Sequence, residues 1–255
     1  MRLVDFHCHL AESGGYAALR AQDDLFEESA VVVAVTNRPG DWRALSTKAE
    51  TTVAWALGMH PELRHSEQDL EVFLAAVPRC DAVGEIGLDY SGQSRTPRAD
   101  QRRLLARILG SPEVRRRLVT LHSRSAASDV LGALASNPTP GAVLHWFLGS
   151  PEEVETAIDL DVYFSVNAAM LASQRGQTVV TDLPPNRVVL ETDAPFGGVR
   201  GKRAAAGDVL GLVDPLARLW RMSHGAARSL IEHNQAHLIA RLDVLPHALR
   251  PLRGT

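Results

Sequence analysis

Eight short apolar runs, separated by longer amphipathic stretches, are the feature of this sequence that most restricts its fold. Most runs are rich in β-branched residues and continuous rather than alternating, as strands buried on both faces are. The runs cover residues 3–6, 30–35, 53–57, 82–86, 118–121, 142–144, 162–166 and 188–190. Because helical crossovers join parallel strands, eight strand–helix units predict a parallel sheet.

The length of the chain selects between two ways of arranging such a sheet. It has 255 residues, which is the usual size of an eightfold β/α barrel. We therefore predict an α/β fold, a TIM (β/α)8 barrel that spans residues 1–255 as a single domain. A doubly wound open sheet is the alternative. A helix start is predicted at Ser66, where residues 66–69 have the Ser-x-x-acid form of a capping box. Another is predicted at Ser150, which is followed by a first-turn proline and two acidic residues.

Composition and charge restrict where in the cell the protein is expected to work and what it can bind. The formal net charge is -3, so nucleic-acid binding would need a local basic patch or metal ions. The N-terminus does not have the layout of a signal peptide, and no run approaches the ~20 apolar residues of a membrane span. Two cysteines are too few for a disulfide framework and predict a reducing, cytoplasmic location. Cys8 lies between two histidines but would point away from them on a strand.

Residues able to bind metal ions recur where the apolar runs end. In a barrel the C-terminal ends of the strands converge on one face, where active sites lie. Residues far apart in sequence would therefore form one cluster. Its predicted members are His7, His9, Glu85, His122, His145 and Asp193.

Four imidazoles and two carboxylates are too many for one tetrahedral ion that keeps an open position. They predict two divalent ions about 3.5–4 Å apart with a bridging carboxylate. Zinc, manganese and magnesium are the candidates, and mixed histidine and carboxylate ligands suit the first two best. Any one histidine could instead be structural, and an arginine could compensate a buried carboxylate. The spacing of His7 and His9 favours metal binding over a structural role, because residues i and i+2 of a strand point the same way.

Five further residues are candidates for substrate contact. His60 lies in a Gly-x-His-Pro turn after the third run, where it could contact substrate, bind metal or only form the turn. Arg124 could clamp a phosphate or be a solvated residue at a helix start. Phosphate binding is also predicted for the cationic loop after the last run, which contains Arg200, Lys202 and Arg203.

Two adjacent aromatic residues, Trp146 and Phe147, follow His145 directly. An aromatic side chain at the mouth of the barrel could stack on a nucleobase. Packing in the barrel is the alternative role, and we expect it for at least one of the two.

Six motifs of this chain resemble those of the TatD family and occur in the same order. They are His7-Cys8-His9, Gly58-Met59-His60-Pro61, Gly84-Glu85-Ile86-Gly87-Leu88-Asp89-Tyr90, His122-Ser123-Arg124, His145-Trp146-Phe147 and Glu191-Thr192-Asp193-Ala194-Pro195. The resemblance runs from His7 to about Leu238. It implies a TIM barrel of the amidohydrolase superfamily, divalent metals and deoxyribonuclease activity.

The resemblance also implies roles for single residues. It implies that one metal ion is held by His7, His9, Glu85 and Asp193. It implies that the other is held by Glu85, His122 and His145. Asp193 would also serve as the general base, so Glu85 and Asp193 are the expected catalytic residues.

A narrower resemblance is to the TatD-like member of the bacterial Qat antiphage defence system. It rests on Val35-Thr36, Trp42 and residues 122–128, 145–147 and 164–171. It implies that the protein acts beside an ATPase and a QueC-like partner.

The sequence therefore favours an enzyme that hydrolyses phosphodiester bonds in DNA. Two alternatives stay open at this point. The same metals could polarise the carbonyl of a small amide, ester or lactone substrate. The chain could also be a non-catalytic or partner-dependent component of a defence complex that keeps the metal site as structure.

Overall fold

The computed structural model describes residues 1–12, 30–47, 51–92, 94 and 96–253. Its eight parallel strands close into a barrel in sequence order. They are β1 (Leu3–Cys8), β2 (Ala30–Val35), β3 (Val53–Leu57), β4 (Ala82–Gly87), β5 (Leu118–His122), β6 (Ala142–His145), β7 (Tyr163–Val166) and β8 (Val188–Leu190). The predicted TIM barrel is confirmed. The open sheet is excluded because β1 pairs with β8, with Asp5 opposite Leu190.

Helices alternate with these strands. The described α-helices are α1 (Pro39–Leu45), α2 (Glu67–Ala76), α3 (Arg98–Leu109), α4 (Pro112–Arg115), α5 (Ala127–Ser136), α6 (Pro151–Asp159), α7 (Ala168–Ala172), α8 (Gln174–Asp182), α9 (Val213–Trp220) and α10 (His224–Ala240). Short 3-10 helices cover Val77–Arg79, Pro185–Arg187, Ala206–Leu212 and His247–Leu252. No helix in the described part of the chain is long and apolar enough to cross a membrane.

Both predicted helix starts are confirmed. The Ser66 hydroxyl accepts a hydrogen bond from the backbone N–H of Asp69, and the Asp69 carboxylate accepts one from the backbone N–H of Ser66. Ser150 and Glu153 make the same reciprocal pair at the start of α6. Each pair satisfies two backbone donors that a helix N-terminus otherwise leaves without partners.

The buried apolar residues form two layers on opposite sides of the strands. Val4, Phe6 and Tyr163 belong to the cluster to which all eight strands contribute, inside the barrel. The other layer joins the outer strand faces to the helices, and it includes Cys8 and Phe73. Cys8 therefore points away from the neighbouring histidines, as the strand geometry predicts.

Backbone hydrogen bonds tie the C-terminal ends of β2, β3 and β4 together. The Thr36 hydroxyl accepts a hydrogen bond from the N–H of Gly58 over 3.0 Å. The N–H of Met59 donates to the carbonyl of Glu85 over 2.9 Å. A Cβ atom on Gly58 would lie only 1.5 Å from the carbonyl oxygen of Thr36. Glycine is therefore required here, and the close approach brings His60, two residues later, toward Glu85.

Candidate metal centre

A single buried carboxylate, that of Glu85 on β4, lies at the centre of the predicted cluster. Its side chain is only 1 % exposed. Its Oε2 atom lies 3.4 Å from Nε2 of His7, and 3.1 Å from Nε2 of both His9 and His60. Three imidazoles from the ends of β1 and β3 thus face one carboxylate oxygen.

The second oxygen of Glu85 faces a different pair of imidazoles. Oε1 lies 2.6 Å from Nδ1 of His122, at the end of β5. It lies 3.1 Å from Nε2 of His145, at the end of β6. The two oxygens of one carboxylate therefore face ring nitrogens from opposite sides of the barrel mouth, which is the arrangement a bridging ligand needs.

Asp193 completes the cluster from the end of β8. Its Oδ1 atom lies 3.5 Å from Nε2 of His9 and 3.9 Å from Nε2 of His7. Its backbone adopts a left-handed conformation with φ of 47°, which an aspartate tolerates better than most residues. Burial raises the pKa of the Asp193 carboxyl to about 7.

The seam between β1 and β8 fixes where Asp193 lies. The Asp193 N–H donates to the carbonyl of His7 over 2.9 Å. The neighbouring Thr192 donates its N–H and its hydroxyl to the buried carboxylate of Asp5, over 2.9 and 2.6 Å. The seam that closes the barrel therefore also sets the position of Asp193 beside the histidines of β1.

These residues fit a divalent metal. Ligands placed about 2.0–2.2 Å from one ion lie about 3–4 Å from one another, and the nitrogen–oxygen distances around Glu85 Oε2 and Asp193 Oδ1 are 3.1–3.9 Å. Three facing buried atoms make no hydrogen bond within the described residues: His7 Nε2, Glu85 Oε2 and Asp193 Oδ1. Buried polar atoms without a partner cost free energy, and a cation bound between them would remove that cost.

The candidate donor atoms fall into overlapping groups. Each group has one donor atom per residue, and these atoms lie within 4.8 Å of one another. The groups are His7, His9 and Glu85; His7, His145 and Asp193; His60, Glu85 and His122; and Glu62, Asp89 and His122. All six predicted metal-binding residues are thus brought together, and the third group adds His60.

The charges of the cluster favour an ionised Glu85, a protonated His122 and a neutral His7. Burial opposes the charge of Glu85, but the nearby imidazoles outweigh it and hold its pKa well below the usual range. Burial also opposes the charge of His122, but the carboxylates of Glu85 and Asp89 raise its pKa to about 9. Burial and the nearby charge of His145 together lower the pKa of His7 to about 3. Metal binding would therefore displace protons from this cluster.

Two carboxylates that the sequence analysis did not select orient the histidines. Asp89 Oδ2 accepts a hydrogen bond from Nε2 of His122 over 2.8 Å. Glu191 Oε1 lies 3.4 Å from Nδ1 of His145. Such outer partners set the orientation and basicity of metal-binding imidazoles. Their sequence positions gave a signal, because Asp89 shares a motif with Glu85 and Glu191 lies two residues before Asp193.

The residues predicted to contact substrate differ in their exposure and in their position around the cluster. The Arg124 guanidinium is about half exposed and lies 3.7 Å from Glu62 Oε1, while the Glu62 N–H donates to Nδ1 of His60 over 3.2 Å. The three cations of the loop after β8 are exposed. Two of them, Lys202 and Arg203, line a cavity of about 360 Å³ together with Thr192. Arg200 is not among the residues that line it.

The two aromatic residues after β6 have different environments. Phe147 is fully buried, and its ring packs against Phe164 with the centroids 5.4 Å apart. Trp146 is partly buried against the outer core layer. The expectation that at least one of them packs in the barrel is confirmed by Phe147.

Comparisons with known proteins agree with this geometry. A family profile described as TatD related DNase matches residues 4–240. Human deoxyribonuclease TATDN3 is 29% identical over 219 residues, which cover 77% of this chain and 79% of that protein. The 3'-5' ssDNA/RNA exonuclease TatD of Citrobacter koseri is 29% identical over 178 residues, covering 66% and 68%. The crystal structure of YJJV, a TatD homolog from Escherichia coli k12, has a TM-score of 0.81 at 25% identity and covers 93% of this chain and 97% of that one.

Replacing Asp89 with asparagine tests its effect on the metal centre. The Asp89→Asn change removes the charge that orients His122, and loss of such a partner lowers metal affinity about 10–100-fold. We expect a loss in this range when Zn²⁺ binding is titrated against a competing chelator. Asp129→Asn is the control, because Asp129 is a 41% exposed carboxylate that pairs with Arg102 outside the cluster. Equal affinity in the two variants would contradict the role of Asp89.

Proposed function

The chain belongs to the TatD family of metal-dependent nucleases, and we propose that it hydrolyses phosphodiester bonds in DNA at a centre of two divalent ions. The observation that carries this proposal is the carboxylate of Glu85, whose two oxygens face different imidazoles. One ion would be held by Glu85 Oε2 with His7, His9 and Asp193. The other would be held by Glu85 Oε1 with His122 and His145. Zinc, manganese and magnesium are the candidate ions.

Such ions, when bound, would polarise the phosphodiester, activate water near neutral pH and stabilise the entering and leaving oxygens. The protein's own part in the reaction begins with Asp193. The Asp193 carboxylate lies beside His7 and His9, so its oxygen that is not bound to metal can accept the proton that the attacking water loses. The Asp193 carbonyl accepts backbone N–H groups from Phe196 and Gly197, which holds the general base in place.

Cationic side chains would bind the phosphates of the substrate. The His60 side chain is 13% exposed, so its imidazole can meet both the cluster and an incoming phosphoryl oxygen. Arg124 lies on the same side, next to Glu62. We propose that Arg200, Lys202 and Arg203 bind the backbone away from the reacting bond. In a chain with a formal net charge of -3, such a local patch would act together with the metal ions to attract DNA.

DNA is the substrate class that the named relatives favour. Human TATDN3 is a deoxyribonuclease, and the Citrobacter koseri TatD protein is an exonuclease on single-stranded DNA and RNA. Hydrolysis of a small amide or ester stays a prediction from the sequence, and no observation in the structure favours it.

We also propose that the enzyme works in antiphage defence, in the cytoplasm, beside an ATPase and a QueC-like protein. The support is the narrower motif resemblance, which includes residues 122–128 and 164–171. Plaque formation on cells that carry the complete system would test it. We expect protection by the wild type and none by Glu85→Ala. Full protection by that variant would contradict a role for hydrolysis in defence.

Cleavage of end-labelled single- and double-stranded DNA tests the proposed activity. The purified chain is assayed with Mg²⁺, Mn²⁺ or Zn²⁺, beside Glu85→Ala and Asp193→Asn. We expect metal-dependent cleavage that falls by about a thousandfold or more in both variants, because each loses a ligand or the general base. Glu71→Ala and Asp214→Asn are the matched controls, since both residues are exposed and outside the cluster. Full activity of Asp193→Asn would sink its assignment as the base.

A further inference from the structure

One aromatic side chain, that of Phe196, is exposed beside the candidate metal centre. Its side chain is 56% exposed, and every other aromatic residue in the described part of the chain is buried or partly buried. Leaving a phenyl ring in water forgoes burial energy of roughly 25 cal/mol per Å² of apolar surface. An exposed aromatic next to a catalytic cluster therefore points to a ligand that covers it.

The ring of Phe196 contacts one of the histidines of the metal cluster. Phe196 contacts the imidazole of His9 edge to face, with the centroids 5.1 Å apart and the planes at 82°. His9 in turn faces Oε2 of Glu85 at 3.1 Å. A nucleotide whose phosphate lies at the centre would thus have Phe196 at the edge of its binding site.

The backbone that carries this ring is held in a tight turn. The N–H groups of Phe196 and Gly197 both donate to the carbonyl of Asp193, over 2.6 and 2.9 Å. A Cβ atom on Gly197 would lie 2.1 Å from the carbonyl oxygen of Thr192. The backbone that carries the ring is therefore fixed relative to the general base and needs little ordering when a ligand covers the ring.

Positive charge lies along the same loop. Gly197 and Gly198 line the cavity of about 360 Å³, and Lys202 and Arg203 line it too. Both cationic residues are exposed. An aromatic ring on the same loop as exposed cations is a combination that can bind single-stranded nucleic acid, with bases on the ring and phosphates on the cations.

We propose that Phe196 is a stacking site for an unpaired nucleobase of the substrate, with the adjoining backbone directed toward Lys202 and Arg203. A base inside a duplex has both faces covered by its neighbours, so an interior base can cover this ring only when it is unpaired or flipped out. The site therefore favours DNA whose reacting nucleotide is unpaired over the interior of a duplex. This inference rests on the proposed nuclease function.

The first test uses single-stranded oligonucleotides in which one abasic tetrahydrofuran residue is moved stepwise through the sequence. Stacking of one base contributes about 1–3 kcal/mol, so wild-type cleavage should slow by about 5–150-fold when the abasic residue reaches the stacking position. Phe196→Tyr should keep this selectivity because it keeps the ring. Phe196→Ala and Phe196→Leu should cleave the abasic and intact oligonucleotides at equal rates, since both lack an aromatic face.

The second test measures stacking without catalysis. An oligonucleotide that carries 2-aminopurine is bound to the metal-free protein in EDTA, and its fluorescence is recorded. We expect quenching by the wild type and by Phe196→Tyr, and loss of most of the quenching in Phe196→Ala. Ile158→Ala is the control, because Ile158 is an exposed apolar residue on α6.

The two tests separate failure of this inference from failure of the nuclease assignment. Equal quenching and equal abasic selectivity in the wild type and Phe196→Ala would overturn the stacking site while leaving the nuclease intact. An absence of cleavage by the wild type with every metal would overturn the nuclease, and the quenching measurement would still decide whether Phe196 binds a base.

Discussion

The active end of this barrel depends on the contact between one buried carboxylate and the imidazoles around it. Glu85 has five ring nitrogens within 3.4 Å of its two oxygens. Burying a carboxylate alone would be very unfavourable. Five imidazoles can be buried around it because the negative charge of the carboxylate and the positive charge of the protonated rings offset one another. The low pKa of Glu85 and the raised pKa of His122 are two consequences of that balance.

The barrel provides what this contact requires. Closure of β1 onto β8 brings the histidines of β1 to Asp193, and the Asp5–Thr192 hydrogen bonds hold that seam. The close approach of Gly58 to the end of β2 brings His60 to the same carboxylate. A second layer of carboxylates, Asp89 and Glu191, then orients the rings. The donor set is thus preorganised by the fold.

Much of this arrangement could be predicted from the sequence, because strands buried on both faces leave a clear pattern. Runs such as 30–35 and 53–57 coincide with β2 and β3. With the strands identified, the geometry of a barrel is enough to place His7, Glu85 and Asp193 on the face formed by the C-terminal strand ends. The run 188–190 also coincides with β8, and the limits of the other five runs differ by one or two residues. Four of these strands continue past the apolar run, as β1 does to Cys8, because a strand can extend beyond its apolar residues.

Other features depend on three-dimensional contacts that no local pattern encodes. Glu191 lies in the same motif as Asp193, but its contact with the ring of His145 is made only in the folded barrel. The exposure of Phe196 follows from the turn after Asp193, whereas the sequence predicts Trp146 and Phe147, which directly follow His145, as the stacking candidates. His60 could not be assigned to the cluster because its place depends on how β3 packs against β2.

The number of metal ions per chain tests the central claim most directly. Purified protein would be loaded with Zn²⁺, freed of excess ion, and its metal content measured by elemental analysis beside Glu85→Gln. A carboxylate bridging two ions predicts two equivalents in the wild type and at most one in the variant. A single equivalent in both proteins would contradict the two-ion centre.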